Sequence, residues 1–411
     1  MAMSGISPLA PKKFPAMPEV AGVRLGAGAS GERYKGRDDL LLAEFAEGTR
    51  VAGVLTQSQT PGAPVKWCRE ILPVGRARGL VVNAGNANVF TGKAGDAAVR
   101  RTAKSAAKIL CAPANEIFIA STGVIGEALN DARITQALPA LYDKIGTKSW
   151  PDGARAIMTT DTFAKGAARR VTIDGESVTI AGIAKGSGMI APNMATMLAF
   201  IFTDARLPVR LLNSLLRPAT ARSFNSITVD GDTSTSDTCL LFATGAARHR
   251  AVTRASDRRL NGFRAALDDV MTDLAQQIAR DGEGASKFIT LSIRGARSEA
   301  AARRVGLVVA NSPLVKTAIA GEDPNWGRLV MAVGRAGEQV RTEKMVITIG
   351  GHKVAAGGKQ APGYVEKIVA RHMKGKEIAI AIDLAVGAGA ATVWSCDLTH
   401  KYIDINADYR S

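Results

Sequence analysis

The sequence predicts a layered α/β or α+β fold, on three observations. Short apolar runs recur along the whole chain and break repeatedly into polar or glycine-rich turns, as strands do where they leave a sheet. One long segment, 261–279, carries Phe263, Leu267, Val270, Leu274 and Ile278 at three- and four-residue steps, which describes a helix with one buried face. The spacing of the runs lacks the regular strand–helix alternation of a doubly wound sheet.

Taken in order, the first 30 residues are rich in Pro, Gly and Ala and read as an extended arm or loops. Residues 43–55 end in the strand-like VAGVL, and GLVVN at 79–83 is a short buried strand running into the turn AGNAN. Residues 96–110 predict a helix whose apolar face is Val99, Ala103, Ala106, Ala107 and Leu110. A strand at 116–120 leads into STGVIGE, where small residues let a backbone come close to a ligand. Asp174-Gly175 centres a hairpin over 170–182.

The run from Thr196 to Phe202 predicts a central strand, 209–216 a helix stopped by Pro218, and 239–243 another strand. In the last third, 307–309, 329–333, 345–349 and 379–384 are expected as strands and 363–372 as a helix.

Composition excludes several function classes. A chain of 411 residues buries a large core without staples. Its cysteines, Cys68, Cys111, Cys239 and Cys396, are widely spaced and form no CxxC pair, and the N-terminus lacks a secretory pattern, so a cytoplasmic protein with reduced thiols is expected. The histidines, His249, His352, His372 and His400, form no metal signature, and no metal is expected. No apolar stretch reaches the roughly 20 residues of a membrane span. A net charge of +16 hints at nucleic acid, but the basic residues are dispersed and aromatics make up only 5%, so none is expected; the charge suits solubility and anionic small molecules.

The segment KGSGMIAPNMATMLAFIFTDA, residues 185–205, places Thr196 after turn-forming residues and before an apolar run. A threonine hydroxyl is a poor nucleophile unless a base takes its proton, and the α-amine of a chain-terminal threonine can be that base. Such an amine titrates at about 7.7–8.0, so part of it is free at neutral pH. Chemistry here therefore requires a cut between Ala195 and Thr196. The local pattern alone more often describes a β-branched residue opening a buried strand.

Other regions could complete such a site. Ser121-Thr122-Gly123 offers a hydroxyl and a backbone N–H for an oxyanion, or simply a turn. Lys185 could meet a substrate carboxylate, or be a solvated loop lysine. Thr162 in TTDTFAK and Asn225 in FNSITVDGDTSTSD could donate to substrate or cap turns. Asp230 and Asp232 fit a self-capped loop better than a magnesium site. Glu283 in DGEGASK could accept from a substrate ammonium, or end a helix.

Together these segments resemble the ornithine acetyltransferase family, also called glutamate N-acetyltransferase, of arginine biosynthesis. The likeness spans nearly the whole chain: NAGNANVFTG at 83–92, STGVIGE at 121–127, MTTDTFAK at 158–165, KGSGMIAPNMATMLAF at 185–200, FNSITVDGDTSTSD at 224–237, DGEGASK at 281–287, NSPLVKTAIAGEDPNWGR at 311–328 and INADYRS at 405–411. The first 30 residues diverge, and Ser286 and Ser411 stand where threonine is common, exchanges that keep a hydroxyl.

The resemblance implies self-cleavage between Ala195 and Thr196 into an α chain, 1–195, and a β chain, 196–411, that stay associated as an αβ pair repeated twice. It implies stacked sheets flanked by helices, with a smaller C-terminal unit. Thr196 would take acetyl from N-acetylornithine and pass it to glutamate, Thr122 and Gly123 would form the oxyanion hole, and Thr162, Lys185, Thr196, Glu283, Asn406 and Ser411 would contact substrate. No cofactor or metal is implied, and use of acetyl-CoA as a second donor stays open. Rival readings are a hydrolase with the same nucleophile, an amidase or aminopeptidase, and a noncatalytic binding protein.

Overall fold

Strands buried on both faces, with successive side chains entering two different cores, build two sheets that stack face to face. The computed structural model describes residues 5–191 and 197–407. The first sheet runs β1 (Val23–Gly28), β2 (Leu40–Phe45), β4 (Gly79–Asn86), β5 (Ile117–Val124), with β4 and β5 parallel. The second runs β3 (Arg50–Leu55), β9 (Thr238–Ala243), β8 (Leu198–Thr203), β7 (Glu176–Lys185), β6 (Lys165–Ile173), with β8 and β9 parallel. Phe200, Phe202 and Phe242 point into the space between the sheets, where the Phe45 and Phe242 rings lie 4.4 Å apart and Trp150 meets Phe202 at 5.3 Å. Their neighbours Ala199, Ile201 and Leu241 face the other way, against Leu267, Val270 and Leu274 of the helix Asn261–Arg280. The helix Gly92–Ile109 packs on β4 and β5.

A third sheet, β13 (Lys359–Gln360), β12 (His352–Ala356), β11 (Val346–Ile349), β14 (Glu377–Asp383), β10 (Phe288–Ala296), β15 (Gly389–Cys396), has a core of its own with the helix Glu299–Ala310. Among the described residues no helix is long and apolar enough to cross a membrane.

The hairpin at Asp174-Gly175 forms as expected, with φ of 58° and 85°, the left-handed pair that a tight turn between twisted strands needs. Other expectations need correction. The first 30 residues contain β1, paired to β2. Residues 307–309 and 329–333 lie in the helices Glu299–Ala310 and Trp326–Gly334, not in strands. Three to five apolar residues carry too little period to separate the two, and here Ala302, Val305 and Val309 bury one helical face while Ser298 accepts the Ala301 N–H as a cap. Pro218 does not stop its helix, which runs Val209–Arg222: the proline is exposed, while Leu215, Leu216 and Ala219 hold the helix on the core.

Candidate active site

Lys185 ends β7 and pairs across the sheet with Leu198 of β8, so residues 186–197 form the connection between these two strands. Thr122 and Gly123 end β5, in the other sheet. The stacking of the two sheets brings these strand ends together: Lys185 Nζ donates to Thr122 Oγ1 at 3.2 Å and to Thr159 Oγ1 at 2.9 Å. Gly123 has a φ of +132°, and a Cβ there would overlap the carbonyl of Gly85 on the neighbouring strand, so no other residue fits.

A buried ion cluster supports this corner from below. Lys165, fully buried, bridges Asp161 at 2.7 Å and Asp281 at 2.5 Å. Asp161 Oδ1 also accepts the Gly186 N–H at 2.6 Å, its Oδ2 accepts the Thr159 N–H at 3.1 Å, and Lys185 Nζ lies 3.8 Å from Oδ2. Burial works to raise the Asp161 pKa, but the Lys165 and Lys185 cations overcome it and hold the carboxyl well below its usual range. Burial lowers the Lys185 pKa, against the opposing pull of Asp161.

Glu283 follows the cluster in sequence. Its N–H donates to the Ser187 carbonyl at 2.9 Å, and its carboxylate packs on Gly188, where an added Cβ would overlap it. Burial raises the Glu283 pKa, and Asn406 Nδ2 donates to Oε2 at 2.8 Å. The helix His400–Ala407 comes this close because Gly284 has no side chain: a Cβ there would overlap Lys401 and the Tyr402 N–H.

Of the residues singled out in the sequence, Thr122, Gly123 and Lys185 meet at one corner, and Glu283 and Asn406 form a pair beside Ser187. The Thr162 hydroxyl donates to Asp281 and accepts the Ser7 N–H at 2.9 Å, which ties it to the ion cluster and to the N-terminal arm. Ala195, Thr196 and Ser411 lie outside the described residues. Cys68 and Cys239 are buried packing residues, and burial pushes both thiols up to about 12, far from thiolate chemistry. Among the described residues no group of three His, Cys, Asp or Glu side chains converges as a metal site would require.

Sequence reasoning missed Thr159, Thr160 and Asp161, although all three sit in MTTDTFAK: Thr160 Oγ1 lies 2.7 Å from Ser187 Oγ. It also missed the work of the 230–237 loop. Asp230 accepts the N–H groups of Met189 at 2.6 Å and Ile190 at 2.9 Å, and Asp237 accepts that of Met197 at 3.0 Å. The polar run VDGDTSTSD was a signal for backbone capping, but nothing local says which backbone it caps.

Comparison with known proteins gives the family. The ArgJ family model matches residues 24–411. A relative from Gluconobacter oxydans, "Arginine biosynthesis bifunctional protein ArgJ", is 55% identical over 99% of this chain and 96% of its own. One of the same name from Rhizobium meliloti is 52% identical over the full length of both. A crystal structure of the ArgJ protein of Bacillus halodurans is 39% identical, covering 51% of this chain and 97% of the solved one, with a TM-score of 0.49. On its sequence from residue 24 to residue 411, the chain belongs to the ArgJ family.

Proposed function

We propose that this protein is an acyltransferase of arginine biosynthesis that moves acetyl from N-acetylornithine to glutamate through an acetyl-threonine. The observation that carries this reading is the meeting of Thr122 and Lys185, from two different sheets, at the strand end that leads through Met197 to Thr196. The family membership and the relatives' name support the pathway.

The chain first cuts itself between Ala195 and Thr196. The Thr196 amine then takes the hydroxyl proton as Oγ attacks the acetyl carbonyl. Thr122 O–H and Gly123 N–H hold the oxyanion, and ornithine leaves with the transferred proton. The glutamate α-amine attacks the acetyl ester in turn, loses a proton and restores the threonine hydroxyl. Glu283, with Asn406, meets the charged amine of ornithine, and the third N–H of Lys185 is available to the α-carboxylate that both substrates share. Thr162 and Ser411 complete the substrate contacts.

Chains 1–195 and 196–411 stay joined because β7 pairs with β8, and β3 with β9, across the cut. The αβ pair assembles twice, and acetyl-CoA serves as a second donor, in line with the word "bifunctional" in the relatives' name.

Mixing the protein with N-acetylornithine alone, with mass analysis of the chain starting at Thr196, is the test. One acetyl per chain and about one ornithine released, then renewed turnover on adding glutamate, is the expected result for a two-step transfer. Continuous ornithine and acetate release without glutamate would make the protein a hydrolase, and an uncut chain of 411 residues in active material would remove the nucleophile. Glutamate acetylated from acetyl-CoA would establish the second donor.

A further inference from the structure

The Lys185–Thr122 contact has a direction. An ammonium has three N–H donors and no acceptor, whereas a hydroxyl has one donor and two lone pairs. At 3.2 Å the lysine therefore donates and Thr122 Oγ1 accepts, so the Thr122 proton must point elsewhere. Among the described residues the Thr122 hydroxyl has no other hydrogen-bond partner, and the residue is only 2% exposed.

We propose that Lys185 is a positioning residue for the oxyanion hole: by donating to Thr122 Oγ1 it turns the Thr122 proton towards the acyl oxygen and polarises that O–H bond. This rests on the acyl-transfer reading above.

The ammonium is held for this purpose. Thr159 Oγ1 takes a second N–H at 2.9 Å. Asp161 fixes both sides of that arrangement through the N–H groups of Thr159 and Gly186, and is itself fixed by Lys165. A lone buried threonine would have to be ordered by the reaction itself, whereas one already donated to is oriented before substrate arrives. A positive charge behind the hydroxyl oxygen also strengthens it as a donor, and in a water-poor corner that effect is large. A lysine is costly to bury; Asp161 Oδ2, 3.8 Å from the ammonium, offsets part of that cost, but both hydrogen bonds of the cation go to threonine hydroxyls.

The test is single-turnover acetylation of Thr196 in the full protein and in Lys185→Met, Thr122→Val and the double variant. Two donors are used: N-acetylornithine and N-acetylputrescine, which lacks the α-carboxylate. Loss of one oxyanion donor costs on the order of 10²–10³ in rate. Lys185→Met should slow acetylation by about 10²-fold with both donors at saturation, and the double variant should be no slower than Thr122→Val. A defect confined to N-acetylornithine, or the product of the two single defects in the double variant, would overturn the proposal and leave a carboxylate-binding or structural lysine.

Should Lys185→Met fail to mature, Thr159→Val serves in its place. It loosens Lys185 without removing the charge, and its slower acetylation should vanish in a Thr122→Val background; persistence there overturns the proposal. The unmodified protein distinguishes failure of acyl transfer from failure of the Lys185 role. If it takes acetyl from neither donor, the acyl-transfer reading fails and this one with it. If it takes acetyl and only the variant pattern is wrong, this proposal alone fails.

Discussion

Asp237 accepts the backbone N–H of Met197, at 3.0 Å, and so grips the residue next to Thr196. Seven residues earlier in the same loop, Asp230 grips Met189 and Ile190. One loop thus ties down the chain on both sides of the proposed cut. Burial pushes the Asp237 carboxyl well above its ordinary pKa, and among the described residues its Oδ2 has no hydrogen-bond partner.

Asp237→Asn keeps an oxygen for Met197 and should still mature, whereas Asp237→Ala should slow the cut by about tenfold, the worth of one charge-assisted or buried hydrogen bond. The pH dependence has a fixed sign. A carboxyl whose folded pKa is raised adds stability fully present below its unfolded value of about 3.9 and lost as pH rises through the folded value. The melting temperature of Asp237→Asn should therefore gain on the parent as pH rises above about 4, the unfolded value. Parallel thermal melts of the two proteins check this, and a difference constant with pH would refute it.

Lys165→Met removes the cation shared by Asp161 and Asp281 and strands two buried carboxylates. Breaking a buried pair costs about 3–5 kcal/mol, so a large fall in melting temperature and soluble yield is expected. A fall within the range of surface substitutions, about 0.5 kcal/mol, would mean that the cluster opens to water more readily than its burial implies.

Gly188→Ala should act on substrate rather than on stability, since the added methyl enters the place of the Glu283 carboxylate. With Glu283 displaced, the KM for N-acetylornithine should rise by roughly tenfold, the scale of one charge-assisted contact, with a smaller change in kcat. Steady-state kinetics with varied N-acetylornithine at fixed glutamate measure both constants. An unchanged KM would take Glu283 out of ornithine binding.

Thr196→Ala should leave a single 411-residue chain with no transfer, because the proposed mechanism uses one hydroxyl for both reactions. Thr196→Ser should keep part of each. Electrophoresis and intact mass report the cut, and acetyl transfer by the alanine variant would refute the assignment.

Sequence alone determined what local chemistry encodes. The helix 261–279 follows from its period and the hairpin at Asp174-Gly175 from its turn residues, while the roles expected of Thr196, Thr122 and Gly123 come from the resemblance of their segments to a known family. The helix and the hairpin depend on neighbours a few residues away, which a linear text displays. Runs such as 307–309 were too short to show a period, so the core that a neighbouring sheet supplies decided their state.

The partners of the charged groups were decided only by tertiary structure. Asp161 reads as one more turn residue until the antiparallel pairing of β6 with β7 brings Gly186 and Lys185 to it, and Lys165 until Asp281, 116 residues away in the chain, closes on it. The interaction of a charge falls off over a few ångströms and is set by burial. Distance along the chain says nothing about either, which is why the sequence could not show that Lys185 donates to Thr122.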